Sequence, residues 1–215
     1  MITKKGQFMK KSTQARGRPR SFDREAALAQ MTELFWRQGY DATSVADLTE
    51  SIGVNTPSLY SAFGNKEKAY CEAVDYYRHN EGQRVWENVE AQSSARDAVA
   101  SLLHTSAEDF TRSNKPRGCM VVLGALNMAD SNAAIVKRMK SYRAEAREKL
   151  KAKIQAGIEN GELPDTADAE AIACFYHSVQ QGMAVRARDG ASRKELEQTA
   201  DLALLGWELV TGSRG

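Results

Sequence analysis

The chain has 215 residues, 42% of them hydrophobic and 27% charged, with a formal net charge of +2; that length can bury a sizeable core in one or two domains. No apolar run is long enough for a membrane-spanning helix, and no apolar segment of the secretory kind follows the basic N-terminus. Cys71, Cys119 and Cys174 are few and far apart, which argues against a disulfide framework or a CxxC zinc pair and points to a reduced, cytoplasmic compartment.

The first twenty residues contain seven basic side chains (Lys4, Lys5, Lys10, Lys11, Arg16, Arg18 and Arg20) and no acidic one. Of the 30 basic residues this leaves 23 beyond the arm, against 28 acidic ones. The modest net charge therefore conceals a concentrated basic segment, residues 1–20, with too little apolar surface to fold alone. Such an arm can order along phosphates or in a minor groove. A solvated tail is the alternative, and Gly17-Arg18-Pro19-Arg20 just before the first helix favours a DNA arm carried by Arg16, Arg18 and Arg20.

Asp23 to Gln38 predicts the first helix, with Ala27, Met31, Leu34 and Phe35 on one face and Gly39 as its stop. Thr43 is expected to cap a second helix, in which Val45, Leu48 and Ile52 make an apolar stripe and Gly53 supplies the left-handed end. Asn55 caps a third helix, and Pro57 is tolerated in its first turn, where amides lack intrahelical partners. This helix turns Leu59 and Phe63 inward and leaves Asn55, Thr56, Ser58, Tyr60 and Ser61 outside. An apolar back with a front of hydroxyls and amides suits a DNA major groove, so the pattern predicts a helix-turn-helix.

Base readout is assigned to the helix Thr56 to Ala62, chiefly through Asn55, Thr56, Ser58 and Ser61, with Pro57 or Thr56 against thymine methyls. Thr43, Tyr60 and Lys66 are expected to hold phosphates, and Ser44 belongs to the same interface. The recognition helix has no Arg or Lys, so it cannot make a bidentate guanine contact, and DNA shape should contribute to specificity. Residues 1–65 contain nine basic and six acidic side chains, which makes the arm important for affinity.

Gly17-Arg18-Pro19, Phe35-Trp36-Arg37-Gln38-Gly39-Tyr40, Thr43-Ser44-Val45, Leu48 and Pro57 through Glu67 together resemble the TetR family of transcriptional regulators. The resemblance covers about the first seventy residues. It implies an all-α chain: a three-helix DNA-binding head with a helix-turn-helix (21–65), joined to a larger helical-bundle body (66–215) that dimerises and usually binds a small effector. Arg117-Gly118-Cys119-Met120 resembles a segment found in one subset of the family.

Asn65 should cap a long helix from Lys66 to about Val89, with Tyr70, Val74, Tyr77 and Val85 inward, forming a stiff link from head to body. In the body, helices are expected over about Ala95 to Arg112, Cys119 to Met128, Asn132 to Ile158, Asp168 to Arg188 and Arg193 to Val210. The third of these should turn Ile135, Met139, Tyr142, Ala146, Leu150 and Ile154 inward and place Glu145 and Lys149 as an i,i+4 pair. In the last helix Leu196, Ala203, Trp207 and Val210 lie on one side and Leu202, Leu205 and Leu209 on another. The preceding helix shows Ala171, Cys174, Phe175, Ser178 and Gly182. This excess of apolar surface predicts a homodimer through the two C-terminal helices, in a four-helix packing.

Trp86, His104, Phe110, Met120, Leu123, Asn127, Tyr142, Phe175, Tyr176 and Met183 should converge in the body. They suit a small-molecule pocket and equally a plain core. The candidate ligand contacts are Trp86, Phe110, Met120, Asn127, Phe175 and Met183. Cys174 and His177, an i,i+3 pair, are the nearest approach to a metal site, and no cofactor fingerprint, P-loop or nucleophile elbow occurs. Cys119 follows Gly118 at a predicted helix start beside Arg117 and Lys115, the setting in which a thiolate is stabilised, but an inert buried thiol is the preferred reading, since free cysteine is among the most buried residues. The sequence thus points to a cytoplasmic, homodimeric, non-enzymatic regulator of double-stranded operator DNA, more readily a repressor released by a small-molecule effector. An effector-independent regulator with a solid body, and an enzyme or carrier using the body, are the rivals.

Overall fold

The computed structural model describes residues 23–124 and 132–212. Arg16, Arg18, Arg20 and Asn127 lie outside the described residues, as does the end of the helix expected over 119–128. Every regular element among the described residues is an α-helix.

Helix α1 (Arg24–Gln38) starts where the Asp23 carboxylate accepts the N–H groups of Glu25 and Ala26. It ends at Gly39, whose φ of 84° suits a residue without Cβ. Its buried face is Ala27, Met31, Thr32, Phe35 and Trp36. Leu34, expected inward, is only half-buried, because the face has rotated to take in Trp36, which meets the Tyr77 ring edge-on at 4.7 Å.

Helix α2 (Val45–Ile52) is capped by Ser44, not by Thr43. Ser44 has extended backbone, and its hydroxyl accepts the Asp47 N–H while Asp47 accepts the Ser44 N–H, a reciprocal capping box. Thr43, one residue earlier, folds under the end of α1 and donates its hydroxyl to the Gly39 carbonyl at 2.6 Å. Gly53 is left-handed as expected. Asn55 accepts the Ser58 N–H and begins α3 (Thr56–Phe63).

The long linking helix is two helices: α4 (Lys66–Asn80) and α5 (Gln83–Glu90). Glu81 and Gly82 both donate their amides to the Tyr77 carbonyl, which closes α4. Glycine is a poor residue for a helix interior, and no side chain caps α5. In the body, α6 (Ala95–Asp109) packs against α5, against α8 (Ala133–Glu159), against α9 (Ala169–Arg188) and against α10 (Arg193–Leu205). The short α7 (Met120–Leu123) lies beside α4, α8 and α9. The last predicted helix is also divided, at Gly206, into α10 and α11 (Trp207–Thr211).

Along α8, Ile135, Met139, Leu150 and Ile154 are buried, whereas Tyr142 and Ala146 are half-buried. The expected Glu145–Lys149 pair gives way to partners on other helices. Glu145 meets Arg78 at 2.8 Å and Lys149 meets Glu90 at 3.5 Å.

Two apolar clusters organise the molecule. One joins α1, Leu48, Leu59 and Phe63 to Ala69, Tyr70, Ala73, Val74 and Tyr77 of α4, and extends to Met120, Ile135 and Met139. The buried face of α4 therefore serves the head's core. The other cluster fills the body around Leu102, Leu103, Tyr176 and Trp207. Each fully buried Leu or Phe contributes about 1.5–3 kcal/mol relative to exposure, so Leu48, Leu59 and Phe63 are enough to fix how α2 and α3 sit.

Candidate functional site

The outward face of α3 is built by three local choices. Asn55 and Pro57 start the helix, Leu59 and Phe63 anchor its back, and Gly64 ends it at a φ of 79°. Asn55, Thr56, Pro57, Ser58, Tyr60 and Ser61 are consequently all exposed. The cap uses the Asn55 carbonyl oxygen, leaving its NH2 to reach a base edge. A bidentate adenine contact, which needs both groups, would compete with the cap.

Beside this face lie Ser44, exposed, and Lys66, half-buried at the start of α4. The Lys66 ammonium sits over the Tyr40 ring, 4.2 Å from its centroid. Burial pushes the Lys66 pKa down against the pull of Asp41 and Asp47. Thr43 stands apart from these: it is 0% exposed with its hydroxyl spent on Gly39, so the expected phosphate contact is corrected. Arg24 escaped the sequence reading. Its guanidinium reaches the Ala62 carbonyl at 3.3 Å and Glu72 at 2.5 Å and stacks over Phe63, clamping α3 between α1 and α4. A lone basic residue at a helix start gave no signal for this, since its partners are 38 and 48 residues away.

The body holds a half-open cavity of about 420 Å³. Trp86 and Phe110 line it as expected, together with Tyr77, Val85, Val122, Tyr142, Arg143, His177 and Gln180. Three other expected contacts do not. Met120 is buried against the head cluster, Met183 is buried in the body core, and Phe175 is 43% exposed on the outer side of α9. The phase of α9 explains this: it turns Tyr176, His177 and Gln180 inward, and Phe175 falls about 100° away. Tyr176 fills the core and donates to the Ala203 carbonyl at 3.2 Å, while His104 lies at the surface, 3.3 Å from Asp201. Gln180, missed in the sequence, donates to the Ser106 hydroxyl at 2.8 Å. Its signal was a polar i,i+3 pair, His177 and Gln180, on an otherwise apolar face.

Burial, then Arg147 and Arg143, pushes the His177 imidazole down to about 4, so it is neutral near pH 7. Cys174 is exposed and His177 buried, and among the described residues no group of three or more His, Cys, Asp or Glu side chains could hold a metal ion. Burial pushes the Cys119 thiol up, with the Tyr77 hydroxyl hydrogen-bonded beside it. This environment favours the inert buried thiol over a cation-activated thiolate.

Head and body meet at the end of α1 and at the α4–α5 break. The Arg188 guanidinium donates to the Trp36 and Arg37 carbonyls. Lys115 bridges Glu33 of α1 at 2.7 Å and Glu81 at 2.8 Å, and Arg112 also meets Glu81 at 2.8 Å. Although burial opposes it, Lys115 and Arg112 hold the Glu81 carboxyl below its usual range. Gly82 and Gln83, next to Glu81, line the cavity.

The outer sides of α9 to α11 carry exposed apolar side chains. Leu202 is 69%, Leu205 78% and Leu209 88% exposed, with Phe175 and Val185 also uncovered. Among the described residues no helix is long and apolar enough to cross a membrane.

Residues 27–68 match the model of bacterial regulatory proteins, tetR family, and residues 95–203 match that of the tetracyclin repressor-like C-terminal domain. The HTH-type transcriptional repressor ComR of Escherichia coli (strain K12) is 36% identical over 216 residues, covering 98% of this chain and 100% of that protein. The repressor BdcR of the same organism is 28% identical over 194 residues, covering 90% and 93%. A cysteine mutant of the TetR family transcriptional regulator CifR, solved with 26bp double-strand operator DNA, superposes with a TM-score of 0.85. It is 37% identical and covers 89% of this chain and 100% of that one. The chain belongs to the TetR family of bacterial regulatory proteins, all-helical DNA-binding transcriptional regulators with an N-terminal helix-turn-helix head.

Proposed function

We propose that this chain is a cytoplasmic, homodimeric repressor that leaves its operator when a small molecule fills the body cavity. The observation that carries the DNA reading is the α3 surface: Thr56, Pro57, Ser58, Tyr60 and Ser61 exposed on a helix whose Leu59 and Phe63 are buried. Repressor names among full-length relatives and operator DNA bound to CifR support it. Thr56, Ser58, Ser61 and the NH2 of Asn55 read bases, with Pro57 against a thymine methyl. Ser44, Tyr60 and Lys66 hold phosphates, and Arg16, Arg18 and Arg20 extend the contact as an arm. Residues 1–20, 21–65 and 66–215 serve as arm, head and body, with the buried face of α4 completing the head's core.

One small head gains affinity and symmetry by pairing, and the exposed Leu202, Leu205 and Leu209 supply the surface. The cavity can act on the head because Gly82 and Gln83 line it beside Glu81, which Lys115 ties to Glu33 of α1. A ligand works only through different affinities for the bound and released arrangements, typically about 1–3 kcal/mol. Incubating the protein with fragmented genomic DNA tests the reading. Discrete sites with dyad symmetry should be enriched, and uniform recovery of all fragments would overturn it.

A further inference from the structure

Of the arginines and lysines that line the body cavity, all but Arg143 pair with a carboxylate among the described residues. Arg78 pairs with Glu145 and Lys149 with Glu90, while Glu87 is exposed at the mouth. Arg143 is half-buried, gives one N–H to the Val121 carbonyl at 2.9 Å, and has no carboxylate partner among the described residues. A guanidinium has five N–H donors in a fork that matches a carboxylate. His177 lines the same cavity with Nδ1 3.2 Å from the Gln181 amide nitrogen. That amide N–H leaves the ring proton on Nε2, a second donor. Trp86, Val85, Phe110 and Val122 make the remaining wall apolar.

We propose that the cavity binds a small amphipathic monocarboxylate, with Arg143 as the anchor of its carboxylate and the wall around Trp86 and Phe110 as the seat of its tail. One unmatched guanidinium beside a neutral imidazole neutralises one negative charge. A phosphate dianion would want a second cation, and Arg78 and Lys149 are already paired. Burial pulls the Arg143 guanidinium below its usual range, a cost that an anion bound beside it relieves. This deepens the reading of the cavity as the effector site and rests on it.

Titration calorimetry of the full-length protein with octanoate and 3-phenylpropanoate, each against its neutral amide, tests the proposal. The carboxylates should bind at least about tenfold more tightly than the amides, as charge-assisted hydrogen bonds predict. Arg143→Gln should remove that preference, and Arg143→Lys should keep part of it. Equal affinity for acid and amide, or no binding of either acid, would overturn the proposal. So would a preference that survives in Arg143→Gln. If Arg143→Gln fails to fold, the wild-type comparison decides. Operator release is followed in parallel: acids that bind at Arg143 without loosening the operator would refute effector release and leave the anion site standing.

Discussion

The guanidinium of Arg188, in the last turn of α9, lies 2.6 Å from the main-chain carbonyl of Trp36 in the last turn of α1. Terminal carbonyls of a helix lack intrahelical partners and sit at the negative end of its dipole, so a cation from the body closes a helix of the head. Lys115 makes a second tie nearby through Glu33. The head is therefore held in register with the body by charge-assisted contacts at one end of α1.

Arg188→Met should keep the fold and lose this cap. The expected cost is about 1–2 kcal/mol in chemical unfolding. An unchanged midpoint and slope would show that the contact contributes nothing to stability.

Reading and folding should separate on α3. Leu59 is 1% exposed, so Leu59→Ala should destabilise the head by about 2–5 kcal/mol through lost burial and a residual cavity. Ser61→Ala, on the exposed side, should leave the unfolding midpoint nearly unchanged. Comparable losses in the two variants would mean that the inward and outward faces of α3 are wrongly assigned.

Leu205→Glu and Leu209→Glu place charges on a face that is bare in one chain and that the proposed dimer covers. Sedimentation at micromolar concentration should show a dimer for the natural chain and monomers for both variants. If both variants remain dimers, the pairing surface lies elsewhere.

His177 makes stability depend on pH. Its folded pKa is about 4, below the ordinary 6.5, so the unfolded chain takes up the proton first as pH falls. The neutral ring's contribution is complete above pH 6.5 and is lost on the way to pH 4. The loss is roughly 3 kcal/mol in all, at about 1.4 kcal/mol per pKa unit. Urea unfolding between pH 7 and 4 should fall less steeply for His177→Gln than for the natural chain; parallel curves would contradict the assignment.

Much of this was legible in local sequence. Capping residues and apolar spacing fixed α1, α2 and α3 almost to the residue, because Asp23, Gly39, Gly53 and Asn55 act within one turn of themselves. The same locality marked Leu202, Leu205 and Leu209 as surplus apolar surface. Gly82 and Gly206 give no local signal, since each breaks a helix whose apolar spacing continues across it. Thr43 and Ser44 are adjacent candidates for one cap, and only the packing under α1 tells which is buried. The cavity was the least legible part. Phe175 and His177 differ by two positions on α9, and which of them faces inward depends on how α9 rotates against α6 and α8.

The central claim is that a dimer presents two copies of α3 to a symmetric duplex. The most direct measurement is selection from a randomised duplex pool by the natural chain and by Ser58→Ala. The natural chain should enrich a dyad-symmetric sequence whose half-sites lie one helical turn, about 34–36 Å, or a multiple apart. Ser58→Ala should change the preferred base at symmetry-related positions only, by roughly 1–3 kcal/mol each. Identical enriched sequences for both proteins, or a site without symmetry, would contradict the account.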